Sequence, residues 1–251
     1  MAKPLIRRIC TGVLLTAAIV VAALGVYQTA YRFWARRTCE HALSFRFGAD
    51  IQRDKLKKMG ERAVPLVFAE MRKHPDRDSN QICFGKGLLR TMARDRRLDP
   101  NVPYIGSVLR NTSEHETIRE AAAYVLGAVW YSAPARQALA DRALRDPSAE
   151  FRAVCLVELG EQAGERASRM NDWQIHPLVI STLTTASKDT DPRIRLAACQ
   201  TTAGLAYAAR DSGTTLAWAE SLLADLSRDP NKQTRESASK WLTKIKHLTG
   251  K

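Results

Sequence analysis

The chain has 251 residues, 45% hydrophobic and 26% charged, with no low-complexity tract, a composition that argues against disorder and leaves room for a folded core. The formal net charge of +13 is uneven: +7 over residues 45–110, −4 over 111–230 and +5 over 231–251, with six basic residues around an apolar N-terminal run. An acidic middle disfavours a continuous phosphate-tracking groove, and five cysteines without a CxxC argue against a zinc site or a disulfide framework, although Cys39 and Cys83 remain a conceivable pair.

Residues 1–8 form a short basic tail with Lys3, Arg7 and Arg8. From Ile9 to Tyr31 follow 23 residues without a charge. As a helix they extend roughly 35 Å at about 1.5 Å per residue, enough to cross a hydrocarbon core of about 30 Å. Tyr27, Tyr31, Phe33 and Trp34 gather at one end, followed by Arg36 and Arg37, as at a membrane–water interface. The expectation is a transmembrane signal anchor over 9–31 and a juxtamembrane linker over 32–44. A cleaved secretory signal ending near Ala23-Leu24-Gly25 is the alternative. Basic residues flank both ends, so orientation in the inner membrane rests on the short basic N-terminus, which favours export of the rest. Signal cleavage would instead leave a secreted or periplasmic domain.

A repeat occupies residues 45–248. Four segments align on an apolar residue (threonine in the last) followed by arginine: Ile118-Arg119, Phe151-Arg152, Ile194-Arg195 and Thr234-Arg235. Two weaker units start at Ile51 and Ile82, and successive starts lie 31, 36, 33, 43 and 40 residues apart. That is a helix-pair period. Within the third unit Ile118, Ala121, Ala122, Val125, Leu126 and Val129 follow helical spacing, a stripe whose beginning recurs at Phe151 and Ile194. Gly60, Gly127, Gly160 and Gly204 mark the ends of these first helices, and Asp99-Pro100, Asp146-Pro147, Asp191-Pro192 and Asp229-Pro230 open the next elements. Second helices begin near Ala63, Val102, Ala135, His176 and Thr215. Two connections, EQAGERASRMNDWQIHP and YAARDSGTT, are long for helix–helix turns. The last unit has one helix, whose Lys240, Lys244 and Lys246 beside Trp241 and Ile245 suit a polar cap or a docking face. The fold class is all-α, an α-solenoid of about six helix pairs behind one transmembrane helix.

The Asp-Pro turns, arginines 119, 152, 195 and 235, the alanine pairs and the glycines resemble the HEAT repeat, particularly the variant of phycobilin lyases. The resemblance implies that turn aspartates and first-helix arginines interact across neighbouring units. Asp146, Asp191 and Asp229 with Arg119, Arg152, Arg195 and Arg235 are therefore expected to be structural. Gln52 and Cys83 depart from the pattern at the arginine position.

No catalytic constellation emerges. Histidines 41, 74, 115, 176 and 247 are scattered, and neither a phosphate loop nor a nucleophile elbow occurs. No metal or cofactor is implied. The reading is a membrane-tethered scaffold, not an enzyme, presenting a groove to a protein or peptide, with Trp173, Trp218, Lys240 and Lys244 as candidate contacts. Nucleic-acid binding through the basic ends, and bilin-lyase or chaperone-like activity, are the alternatives.

Overall fold

The computed structural model describes residues 24, 27–40, 42–43, 49–96, 98–211, 213–214 and 216–248. No strand occurs among them. The chain divides into two compact units, Met1–Met59 and Gly60–Lys251.

In the first unit, residues 27–40 are helical (α1), followed by α2 (Ala49–Met59). Residues 32–40, expected as a linker, thus continue a helix, since nothing from Tyr27 to Glu40 is a glycine or proline. Tyr27, Phe33 and Trp34 are exposed on α1, as are Arg32, Arg36 and Arg37. Among the described residues no helix is long and apolar enough to cross a membrane. Most of the expected span, residues 9–23, 25 and 26, lies outside the described residues, as does Cys10.

The second unit is a stack of helices. α3 (Ala63–Lys73) is followed by four successive helix pairs in chain order: α4 (Asn80–Arg94) and α5 (Val102–Arg110), α6 (Glu116–Gly127) and α7 (Ala133–Arg145), α8 (Ala149–Met170) and α9 (Pro177–Ala186), and α10 (Pro192–Asp211) and α11 (Ala217–Leu226). α12 (Lys232–Leu248) ends it alone. First helices α4, α6, α8, α10 and α12 pack side by side, and α5, α7 and α9 form a second layer. Each stripe is buried only by its neighbours: Ile118, Ala122, Val125, Leu126 and Val129 are fully buried, as are Phe151, Cys155 and Leu159. Side-chain caps set the starts. Ser79 accepts from Ile82 N–H at 3.3 Å, Ser132 from Ala135 at 3.3 Å and Ser148 from Phe151 at 3.1 Å.

Two expected stops are overturned. Gly160 and Gly204 lie inside α8 and α10, which continue to Met170 and Asp211. The supposed connections therefore shorten to residues 171–176 and 212–216. Glu161-Gln162-Ala163 and Ala206-Tyr207-Ala208-Ala209-Arg210 are mostly strong helix formers, and neighbouring helices repay the glycine's helix penalty of about 1 kcal/mol through packing. At Gly160 that packing is specific, because a Cβ there would collide with Thr201 of α10. Gly60, with φ +58°, does end a helix. Among the described residues Cys39, Cys83, Cys155 and Cys199 are thiols.

Candidate functional site

The repeat arginines form a ladder along the turns. The Arg119 guanidinium donates to the Asp146 carboxylate and, through Nε, to the Leu109 carbonyl at 3.3 Å. Arg152 donates to its own turn at the Asp146 carbonyl (3.0 Å) and forward to Asp189 (3.3 Å). Arg195 repeats this with the Asp189 carbonyl (2.9 Å) and a bidentate grip on Asp229 (2.7 and 2.9 Å). Arg235 closes the series on the Asp229 carbonyl at 2.6 Å. Each carboxylate also accepts a backbone N–H two residues on, from Ser148 (3.1 Å), Asp191 (2.8 Å) and Asn231 (2.7 Å). Arg195 beside Asp229 holds that carboxyl below its usual range.

Asp191 is the exception among the expected ladder groups, and Asp189 takes its place. In Asp146-Pro147-Ser148 and Asp229-Pro230-Asn231 the proline precedes the helix, whereas Pro192 is the first residue of α10. Asp191 therefore sits two positions later and accepts from Arg193 N–H at 2.9 Å. The exposed Arg193 guanidinium binds it at 2.7 Å and pulls its pKa down to about 2. At Cys83 the short thiol faces the Arg77 carbonyl, six residues back as in the ladder, with nothing to reach the next unit. The ladder groups bond chiefly to one another, and the Arg152 Nε–H alone among them is buried without a partner.

A second polar seam crosses the first-helix layer. Arg90 of α4 lies over the Tyr124 ring of α6 (4.0 Å to the centroid) and donates to the Tyr124 carbonyl at 3.2 Å. It then pairs with Glu158 of α8 at 3.1 Å and Glu161 at 3.5 Å. Burial pushes the Glu158 carboxyl up to about 7 even though Arg90 opposes the shift. Gly127 makes room, since a Cβ there would strike Glu158.

One step along, between α8 and α10, the packing opens into a cavity of about 600 Å³. Gly160, Gly164 and Gly204 border it, Val157, Leu205 and Ala208 supply apolar wall, and the charged lining residues are Glu161 and Glu165. Trp173, from the loop after α8, is 8% exposed and also lines it. Its Nε1–H and the Thr201 hydroxyl are buried without a hydrogen-bond partner. Such groups are costly unless something supplies the missing bond.

Of the expected contact residues, Trp173 alone borders this cavity. Trp218 is half-buried on α11, and Lys240 is exposed on α12. The Lys244 ammonium lies over the Tyr207 and Trp241 rings at 4.3 and 4.8 Å, within the contact of α12 with α10. No local pattern announces Arg90, Glu158 or Thr201. Only the small residues at Gly160, Gly164 and Gly204 signal a gap.

No protein-family model matches the chain, and no curated protein matches it. Solved structures do. The Escherichia coli protein YibA is 14% identical over 82% of this chain and 79% of its own, with a TM-score of 0.44. Human deoxyhypusine hydroxylase, solved with glycerol, is 13% identical over 88% and 99%, at 0.38. A designed armadillo repeat protein in complex with the peptide (KR)4 is 13% identical over 84% and 98%, at 0.42. The stacked helix pairs themselves define the class, an all-α helical repeat.

Proposed function

We propose that this chain is a membrane-tethered scaffold that binds a protein or peptide partner at the α8–α10 groove, without catalysis. The observation that carries the reading is the Trp173 cavity: a buried indole N–H and a buried hydroxyl without partners, beside apolar wall and two carboxylates. A partner segment supplies a carbonyl to Trp173 and an apolar side chain against Val157 and Leu205. The charge-free run from Ile9 to Tyr31 is the tether, with the exposed Tyr27, Phe33 and Trp34 beside Arg32 and Arg36 at the headgroup layer. Such a tether holds the scaffold on the exported face of the inner membrane and raises its effective concentration toward membrane partners.

The test uses full-length protein in native membranes carrying a photo-crosslinker at Val157, with Leu144 as an exposed control. A discrete adduct at 157, absent at 144 and lost when Gly204→Trp fills the cavity, is expected. Equal labelling at both positions would reject the groove. Extraction of the protein by alkaline carbonate would reject the tether.

A further inference from the structure

The cavity between α8 and α10 has one charged wall and one neutral wall. On α8 the charged lining residues are Glu161 and Glu165, and both are already engaged. Arg90 reaches Glu161 at 3.5 Å, while Glu165 meets Arg169 at 2.7 Å and Arg94 at 3.8 Å. Arg90 and Arg94 belong to α4, which packs on α6, so these pairings run toward the α6 side of α8 and away from α10. α10 contributes Gln200, Thr201, Gly204, Leu205 and Ala208, none of them charged. A charged group entering here sheds water without meeting a free counter-charge, which is costly.

The cavity offers neutral hydrogen-bonding groups instead. The Trp173 Nε1–H is a donor only, and the Thr201 hydroxyl both donates and accepts. Both are buried, and neither has a hydrogen-bond partner among the described residues. The Ser168 hydroxyl and the Gln200 amide, both on exposed residues, line the same space. A peptide unit carries one donor and one acceptor and no charge, so bare backbone suits this set. It also has access, because nothing lies within 4 Å of where a Cβ on Gly204 would stand. A volume of about 600 Å³ suits a short segment, and the exposed Val157 at its edge with Leu205 inside gives an apolar side chain a place to rest.

Resting on the groove reading above, we propose that the partner segment held between α8 and α10 is uncharged. Its backbone carbonyl accepts from Trp173, its N–H donates to Thr201, and one apolar side chain packs on Val157 and Leu205. Trp173 and Thr201 thereby determine specificity, and charged segments are rejected because nothing compensates their desolvation. A buried hydroxyl kept without a partner destabilises the free protein, so removing it raises stability and lowers affinity together. A purely structural hydroxyl does not link the two.

The experiment titrates full-length protein in detergent micelles with the capped peptide acetyl-Gly-Leu-Ala-Gly-amide, and with two forms carrying lysine or glutamate in place of the alanine. The readout is the Trp173 indole N–H resonance, assigned by its loss in Trp173→Phe. The neutral peptide is expected to shift it saturably, with an affinity that changes less than about twofold between low and high salt. The lysine and glutamate peptides are expected to bind at least about tenfold more weakly. Thr201→Val keeps the methyl that lies against Gly160 and removes only the hydroxyl. It is expected to raise the unfolding temperature by about 2–4 °C and to weaken the neutral peptide at least about fivefold, whereas Thr201→Ser keeps the binding. The peptide series on the unaltered protein decides the matter even should Thr201→Val fail to fold. Tighter binding of either charged peptide, or unchanged affinity in Thr201→Val, overturns the inference and leaves the groove standing. So does silence toward all three peptides while the Val157 adduct persists. Loss of that adduct rejects the groove itself, and this inference with it.

Discussion

The α6–α8 and α8–α10 contacts are successive steps of one helical layer, yet they are closed by opposite means. At α6–α8, Gly127 admits Glu158, Arg90 arrives from α4 to neutralise it, and Gln162 donates to the Leu126 and Val129 carbonyls at 3.2 and 2.9 Å. At α8–α10 a glycine also allows close approach, Gly160 against Thr201, but Gly204 has no atom near a would-be Cβ and a cavity of about 600 Å³ opens beside it. Small residues in a repeat therefore serve two ends. Where a neighbour's polar group fills the space, they fix the geometry, and where none does, they leave room for a ligand.

The filled step is the one to break first. Arg90→Ala leaves Glu158 buried without its partner and is expected to cost about 3–5 kcal/mol near pH 8, read from the urea midpoint. A loss below about 1 kcal/mol, typical of exposed pairs, would show that the seam is mere surface charge.

The same carboxylate makes stability depend on pH. Its folded pKa, near 7, lies above the ordinary 4.5, so protonation favours the folded state. The contribution is complete below about pH 4.5 and disappears as pH rises through 7, on the order of 3 kcal/mol at about 1.36 kcal/mol per unit. Asp229 and Asp191, held low by Arg195 and Arg193, act oppositely: their contribution is lost as pH falls below the ordinary carboxylate range. Stability should peak between these limbs, and Glu158→Gln should flatten the alkaline one. An alkaline limb unchanged in that variant would mean that Glu158 is not the titrating group. Gly127→Ala tests the steric half of the step. Its Cβ meets Glu158 side chain and backbone alike, and a loss of about 2 kcal/mol in a thermal melt is expected.

Much of the scaffold is readable locally. α3 and α5 begin at the expected Ala63 and Val102 because turn chemistry sits directly before them. Arginines 119, 152, 195 and 235 share one register, and it is the resemblance to HEAT repeats that implies their pairing with turn aspartates. Asp189 escapes because two aspartates flank Thr190 and only the position of Pro192 in the helix separates them. Arg90 and Glu158 are 68 residues apart, and nothing near either names the other. Gly160 and Gly204 read as stops since glycine usually punctuates helices. Only the packed partner, Thr201 for one and empty space for the other, decides what they do. Trp173 draws notice as a tryptophan in an irregular segment, but its unpaired N–H exists only once α8 and α10 are side by side.

The open step gives the smallest and most discriminating effect. Gly204→Ala adds a methyl where nothing lies within 4 Å, and removes glycine's conformational freedom from the middle of α10. It should therefore stabilise the protein by about 0.5–1 kcal/mol, opposite in sign to the same change at Gly127. Because Gly204 borders the Trp173 cavity, the added methyl also narrows the site, so a gain in unfolding temperature should come with weaker partner crosslinking at Val157. Stabilisation without any change in crosslinking would place the partner elsewhere on the stack, while destabilisation would show that the space beside Gly204 is already filled.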